Sequence, residues 1–231
     1  MSAISEYIRM FLHKAINLFI GKNRALHWIG DNIDKKIMYL QSNGYLYETG
    51  WVNSIKQNQA IDKDNNPLPW LTFPFIYFIE SRLKNQFSIL EFGSGSSTIY
   101  FASLVGNIIS FENNSDWYAL ISKKIPKHVK ICPYRSASDI QNVLENENKK
   151  YDIVFIDNSG DRFKFAQLCL NYINDNGIII LDDSETKTNY KTSELLLSKS
   201  YKKLDFYGLA SMITYQKCTS VFYKDNNCLN I

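Results

Sequence analysis

From residue 87 onward, short apolar runs alternate with stretches whose apolar residues recur every three or four positions. The apolar runs lie at 87–93, 107–112, 129–133, 151–157, 176–182, 202–208 and 219–224. The run at 87–93 predicts a strand buried on both faces of a parallel sheet, and the others read as further strands. Helical stretches beginning near Ser96, Ser115, Ser136 and Asp161 separate the first five strands, and another, at about 190–200, precedes the sixth. Such alternation predicts an α/β fold: a doubly wound, mostly parallel seven-stranded sheet, Rossmann-like, with helices on both faces. The last two strands are joined without a helix, which permits an antiparallel hairpin at the end of the sheet.

Upstream the pattern changes. Residues 48–74 show no sustained period and read as a loop, while Thr72 followed by Pro74 predicts a capped helix over 74–84. Asp62, Asp64 and Asn66 have the spacing that opens a calcium loop, but Pro67 stands where glycine is needed and Phe73 where glutamate is needed. Calcium is therefore rejected. Near the N-terminus, Ile4, Tyr7, Ile8, Phe11, Leu12, Ala15, Ile16 and Phe19 recur at helical spacing. This stretch is too short and too charged for a membrane span and lacks the small-residue cleavage site of a signal peptide. Its wide apolar face predicts packing on the same domain or on a second copy. The alternative is contact with a membrane surface, with Arg9, Lys14, Lys22 and Arg24 at headgroup level. The chain thus divides into a helical extension over 1–47, a segment over 48–86 that is a candidate lid, and a domain over 87–231.

Composition narrows the classes. With 45% apolar and 21% charged residues, neither disorder nor a fibrous architecture is indicated. The lysines are scattered among acids and the net charge is only +3, so a nucleic-acid groove is not expected. Cys132, Cys169, Cys218 and Cys228 lie far apart, with no pair at metal-ligand spacing, which fits a reducing cytoplasm.

Candidate chemistry lies at the strand ends. In an open parallel sheet, ligands bind outside the carboxyl ends of the strands. There the sequence places Glu91, Glu112, Asp157 and the pair Asp182 and Asp183. Gly93 and Gly95 follow the first strand at once, and Ser96, Ser97 and Thr98 offer hydroxyls to the amides of the next helix. Glu112 follows Gly93 by 19 positions, the spacing at which a nucleoside-binding unit sets an acid on ribose hydroxyls. A nicotinamide dinucleotide is the first rival. It wants a third glycine where Thr98 stands, and Glu91 would repel its pyrophosphate but suit an ammonium group.

The segment EFGSGSST resembles the first motif of the class I S-adenosylmethionine-dependent methyltransferases, and the resemblance extends over residues 87–224. It implies that Glu91, Gly93, Ser94 and Gly95 hold the methionine part of the cofactor and that Glu112 holds the ribose. Ser138 and Asp139 would border the adenine, and Asp157 would lie beside the transferring methyl group. This chain has Ser97 where the family often has another small glycine. More narrowly, PLPWLTFP, EFGSGSST, SFENNSDWY, FIDNSGDR and DFYG…CTSVFYK together are similar to bacterial methyltransferase-like proteins met among genes for surface glycans. That similarity implies a small or sugar-containing acceptor, such as a glycan precursor.

Asp157, Asp182 and Asp183 admit three readings: solvated strand ends, a general base with its neighbours, or ligands for a divalent cation. Their spacing resembles that of O-methyltransferases whose acids after the fourth and fifth strands hold magnesium. Ser184 stands here in place of the following asparagine, which weighs against magnesium. An oxygen acceptor must lose a proton, and Asp157 or Asp183 is the candidate catalytic base. Trp70 and Phe73 are candidates to close over the site. Two alternatives stand beside methyl transfer: aminopropyl transfer on the same scaffold, and a non-catalytic nucleoside-binding module in a glycan-assembly complex.

Overall fold

A computed structural model describes residues 39, 40 and 42–231. The helix expected near the N-terminus, with its oligomer or membrane contact, lies outside the described residues. Two short helices come first, α1 (Tyr45–Glu48) and α2 (Trp51–Gln57), followed by α3 (Phe73–Glu80). The alternating part then runs β1 (Ser88–Phe92), α4 (Ser96–Ala102), β2 (Asn107–Glu112), α5 (Ser115–Ile121), β3 (Val129–Pro133), α6 (Ala137–Glu147) and β4 (Tyr151–Ile156). It closes with α7 (Arg162–Cys169), β5 (Ile173–Leu181), α8 (Tyr190–Ser198), β6 (Lys202–Gly208) and β7 (Lys217–Tyr223). Among the described residues no helix is long and apolar enough to cross a membrane.

All seven strands form one sheet in the order β3-β2-β1-β4-β5-β7-β6. The pairs among β1 to β5 are parallel, and β7 inserts antiparallel between β5 and β6. The expected terminal hairpin is present, and its second strand is the inner one. Alternate residues of each central strand face opposite helical layers, as the two-residue period of a strand requires. Ile89, Ile108, Ile153, Phe155 and Ile180 pack on the side that carries Phe75, Ile79 and Phe101. Leu90, Ile109, Val154, Ile156 and Leu181 pack on the side that carries Ile140, Leu144, Ala166 and Leu196. This double burial is why the strands read as unbroken apolar runs.

Strand order reverses between β1 and β4, so the chain leaves these two strands in opposite directions across the sheet. Their carboxyl ends approach closely. Gly93 has φ +94°, and a Cβ there would meet the Asp157 carbonyl oxygen at 2.6 Å. Its amide donates to the Phe111 carbonyl at 2.9 Å, and the Asp157 amide donates to the Phe92 carbonyl at 2.9 Å. Glycine is required here by φ and by space together.

Three departures from the sequence expectations have local causes. Residues 51–57, expected as loop, form α2, which is too short to show a period; Gly50 precedes it and Asn58 ends it in a left-handed conformation. Strand β5 begins at Ile173 rather than 176, because Asn174, Asp175 and Asn176 run through a register shift against β4 instead of forming a turn. Thr72 precedes α3, but its hydroxyl donates to the Phe206 carbonyl at 3.0 Å rather than capping, and the helix ends at Glu80, short of residue 84. Asp62, Asp64 and Asn66 build a turn in which the Asp62 carboxylate accepts the amides of Asp64 and Asn66, each at 2.8 Å.

Gly93→Ala should destabilise the protein by on the order of 2–4 kcal/mol, from a strained φ plus backbone overlap. A urea-denaturation midpoint equal to that of the wild type would contradict this account of the β1–β4 junction.

Candidate functional site

A cavity of about 990 Å³ opens at the carboxyl ends of β1, β2, β4 and β5. Gly93, Ser94 and Gly95 form one side, Glu112 stands beside them, and Asp157, Asp182 and Asp183 lie at the floor. Part of the 48–86 segment, from Asn58 to Pro67 together with Trp70, lines the opposite wall. That wall is fastened from both directions. Trp51 Nε1 donates to the Ile213 carbonyl at 2.6 Å, and the Met212 amide donates to Ser54 Oγ at 2.9 Å.

The glycine turn is organised by Glu112 in front and Glu91 behind. Glu112 accepts the Ser94 amide at 3.0 Å on one oxygen and the Asn114 amide at 2.8 Å on the other. This ties the end of β2 to the turn after β1. Trp117, from α5, donates its indole N–H to the Ser94 carbonyl at 2.6 Å and lies against Gly95.

Glu91 is 1% exposed and does not line the cavity. Its carboxylate accepts Ser97 Oγ at 2.7 Å, Thr98 Oγ1 at 2.6 Å and Ser110 Oγ at 2.6 Å. Thr98 Oγ1 in turn accepts the Gly95 amide at 2.9 Å. The acid thus acts on the turn from behind, through hydroxyls, rather than presenting an oxygen to a ligand. Burial pushes the Glu91 carboxyl up to about 7, against the opposing pull of the three hydroxyl donors.

Ser138 and Asp139 also lie apart from the cavity lining. Both are exposed, and Asp139 closes a capping box with Ser136 at the start of α6, accepting the amides of Arg135 and Ser136 at 2.9 Å each. The Asp139 carboxylate is thus engaged in the local cap. In their place Tyr134, whose amide donates to the Glu112 carbonyl at 3.0 Å, reaches the cavity. Phe73 is likewise absent from the lining and buried in the core, whereas Trp70 borders the cavity and is half-exposed.

At the floor, candidate ligand oxygens of Asp157, Asp182 and Asp183 lie within 4.8 Å of one another. Two cations that sequence reading did not single out are set among them. Arg162, from α7, reaches Asp157 Oδ1 at 3.0 Å and Asp183 Oδ2 at 3.2 Å. Lys217, from β7, reaches Asp182 Oδ2 at 2.5 Å and Asp183 Oδ1 at 2.8 Å. The other oxygen of Asp182 accepts Thr219 Oγ1 at 2.8 Å. Asp183 has φ +49°, a left-handed conformation that aspartate tolerates and that turns its carboxylate between the two cations. Arg162 stood within FIDNSGDR, but no spacing rule marks it. Lys217 has no local signal, because only the antiparallel insertion of β7 brings it beside β5.

Burial first, and the charge of Asp182 second, hold the Asp157 carboxyl well above the usual carboxylate range, while Arg162 and Lys217 pull it back. Burial also raises the Asp182 carboxyl, against the opposing charge of Lys217. For Lys217 burial works against the ammonium, but the charges of Asp182 and Asp183 outweigh it and raise its pKa. Magnesium does not fit this arrangement as it stands, since each of the three carboxylates already has a protein cation at hydrogen-bond distance.

The fold is the Rossmann-like methyltransferase fold. Over 72% of this chain and 97% of the other, it superposes on the precorrin-6y C5,15-methyltransferase from Geobacter metallireducens, with a TM-score of 0.56 at 16% identity. It is similar as well to an O-methyltransferase from Bacillus cereus solved in complex with SAH, with a TM-score of 0.55 at 16% identity, over 80% of this chain and 96% of that one. No protein-family model matches the sequence, and no curated protein matches it.

The buried Glu91 carries a pH signature. Its folded-state pKa of about 7 lies above the ordinary 4.5, so its favourable contribution is complete below pH 4.5 and is lost as pH rises through about 7. Glu91→Gln removes that titration. The stability of the variant relative to wild type should therefore improve between pH 5 and pH 8, by on the order of 2–3 kcal/mol. A stability difference that does not change over this range, in parallel thermal melts, would refute the assignment.

Proposed function

We propose that the chain is an S-adenosylmethionine-dependent methyltransferase that methylates a hydroxyl of a small or sugar-containing acceptor. The observation that carries this reading is that the glycine turn, Glu112 and Asp157 open onto one cavity at the reversal of strand order. In this reading the backbone of Gly93, Ser94 and Gly95 receives the methionine part, with Glu91 holding the turn from behind. Glu112 takes the ribose hydroxyls. Its carboxylate is oriented by two amides and retains lone pairs for further donors. Trp117 and Tyr134, rather than Ser138 and Asp139, flank Glu112 for the adenine ring.

When bound, the sulfonium of the cofactor supplies an electrophilic methyl group for in-line displacement. The protein's part is to align the acceptor and to take its proton. Asp157 suits that proton transfer, because a carboxylate held above its usual pKa range is a stronger base than an exposed one. Asp183, the other candidate base, has one oxygen on Lys217 and the other on Arg162, which favours Asp157 for the step. Trp70 and the Asn58–Pro67 segment form the wall that limits water at the reacting centre.

Calorimetric titration with S-adenosylmethionine and S-adenosylhomocysteine tests the cofactor assignment. Both should bind, and Glu112→Ala should weaken binding by about 1–3 kcal/mol, the range for losing a charge-assisted hydrogen bond. Absence of binding to the wild type would end the methyltransferase reading.

Asp157→Asn should leave cofactor binding nearly unchanged while turnover falls by about 100-fold or more. In the wild type, kcat/KM should fall as pH is lowered, with a midpoint above the usual carboxylate range because the base works only when deprotonated. Unchanged turnover in the variant would remove Asp157 from the mechanism.

A further inference from the structure

We infer that Lys217 and Arg162 are positioning residues that take the place of a divalent cation at the strand-end carboxylates and hold Asp157 and Asp183 in place without metal. The inference rests on the methyl-transfer reading only for what Asp157 does, and not for the charge pairing itself.

The donor count carries the argument. An ammonium has three N–H donors, and Lys217 has three acceptors: Asp182 Oδ2 at 2.5 Å, Asp183 Oδ1 at 2.8 Å and the Trp70 carbonyl at 3.2 Å. No donor is left for an acceptor molecule, so Lys217 acts through the carboxylates and not on substrate. Arg162 is engaged through four of its five N–H groups. Its Nε donates to the Asn158 carbonyl at 3.1 Å, one terminal nitrogen donates to the Asp182 carbonyl, and the other bridges Asp157 and Asp183. The two cations together contact all three acids, and Asp183 gives one oxygen to each.

A hard divalent cation needs these same oxygens at about 2.1 Å for magnesium. An ion drawn by them would meet the Lys217 ammonium beside two of the three carboxylates, with strong repulsion at short range and low dielectric. Lys217 has little freedom to yield. It is 5% exposed, its backbone is paired with Gly208 in the sheet, and its ammonium lies 5.8 Å from the Trp70 ring centroid. Removing the ammonium leaves a surplus of carboxylate oxygens in one place, which is the condition for a cation site.

The test is titration of Mn²⁺ alone into wild type, Lys217→Met, Lys217→Arg and Arg162→Gln, followed by electron paramagnetic resonance. Wild type and Lys217→Arg should show no saturable Mn²⁺ binding at millimolar concentration. Lys217→Met, or Arg162→Gln, should gain affinity by at least about tenfold, as more uncompensated carboxylate is offered to the ion. A merely structural lysine would give no such gain. Saturable binding to the wild type that Asp182→Asn abolishes would overturn the inference, as would folded Lys217→Met and Arg162→Gln proteins that gain nothing. Should neither variant fold, the wild-type titration decides by itself. S-adenosylhomocysteine binding to the same wild-type sample reports on the cofactor reading separately, so failure of one is distinguishable from failure of the other.

Discussion

A carboxylate can be taken out of water only if donors or cations replace the water, and that requirement organises this molecule. Each acid at a strand end has been given a different solution. Three hydroxyls meet Glu91, two backbone amides meet Glu112, and two cations with a threonine hydroxyl meet the aspartates. The donors come from neighbouring strands and from the turns and helix starts after them, so satisfying the acids also fixes the turns. The glycine turn is the clearest case: Glu91 reaches the Gly95 amide through Thr98, and Glu112 reaches the Ser94 amide directly.

The same requirement separates the acids by task. Glu91 is closed off from the cavity, and its carboxylate oxygens go to the hydroxyls that hold the turn. Glu112 is buried but borders the cavity, with its orientation set by two amides. Asp157 has a single cation on one oxygen and borders the cavity. Asp182 is held on both oxygens and serves to fix Lys217. Four carboxylates that look equivalent along the chain therefore differ because their neighbours differ.

The segment before the sheet joins this arrangement from outside. Trp51 and Ser54 fasten it to residues 212–213, Thr72 fastens it to Phe206 and Thr219, and the Trp70 carbonyl completes the hydrogen bonds of Lys217. One wall of the cavity thus depends on contacts with the last two strands, more than 130 positions away along the chain.

The strands, and the double burial of the central ones, were determined by the sequence alone, because a strand covered on both faces must be apolar throughout and Gly93, Gly95 and Glu112 lie at fixed offsets from strand ends. Local signals also located Asp157, Asp182 and Asp183, which end apolar runs. What only the tertiary structure decided is which groups face one another. Asp139, which the resemblance set beside the adenine together with Ser138, closes the cap of α6 with Ser136. Glu91 and Glu112 both follow strand patterns, yet one faces inward and the other outward. Lys217 lies 35 positions from Asp182 and meets it only because β7 inserts beside β5. Periodicity records which face of an element is buried; it carries no record of the partner across a sheet, and the charge balance of this site is set by those partners.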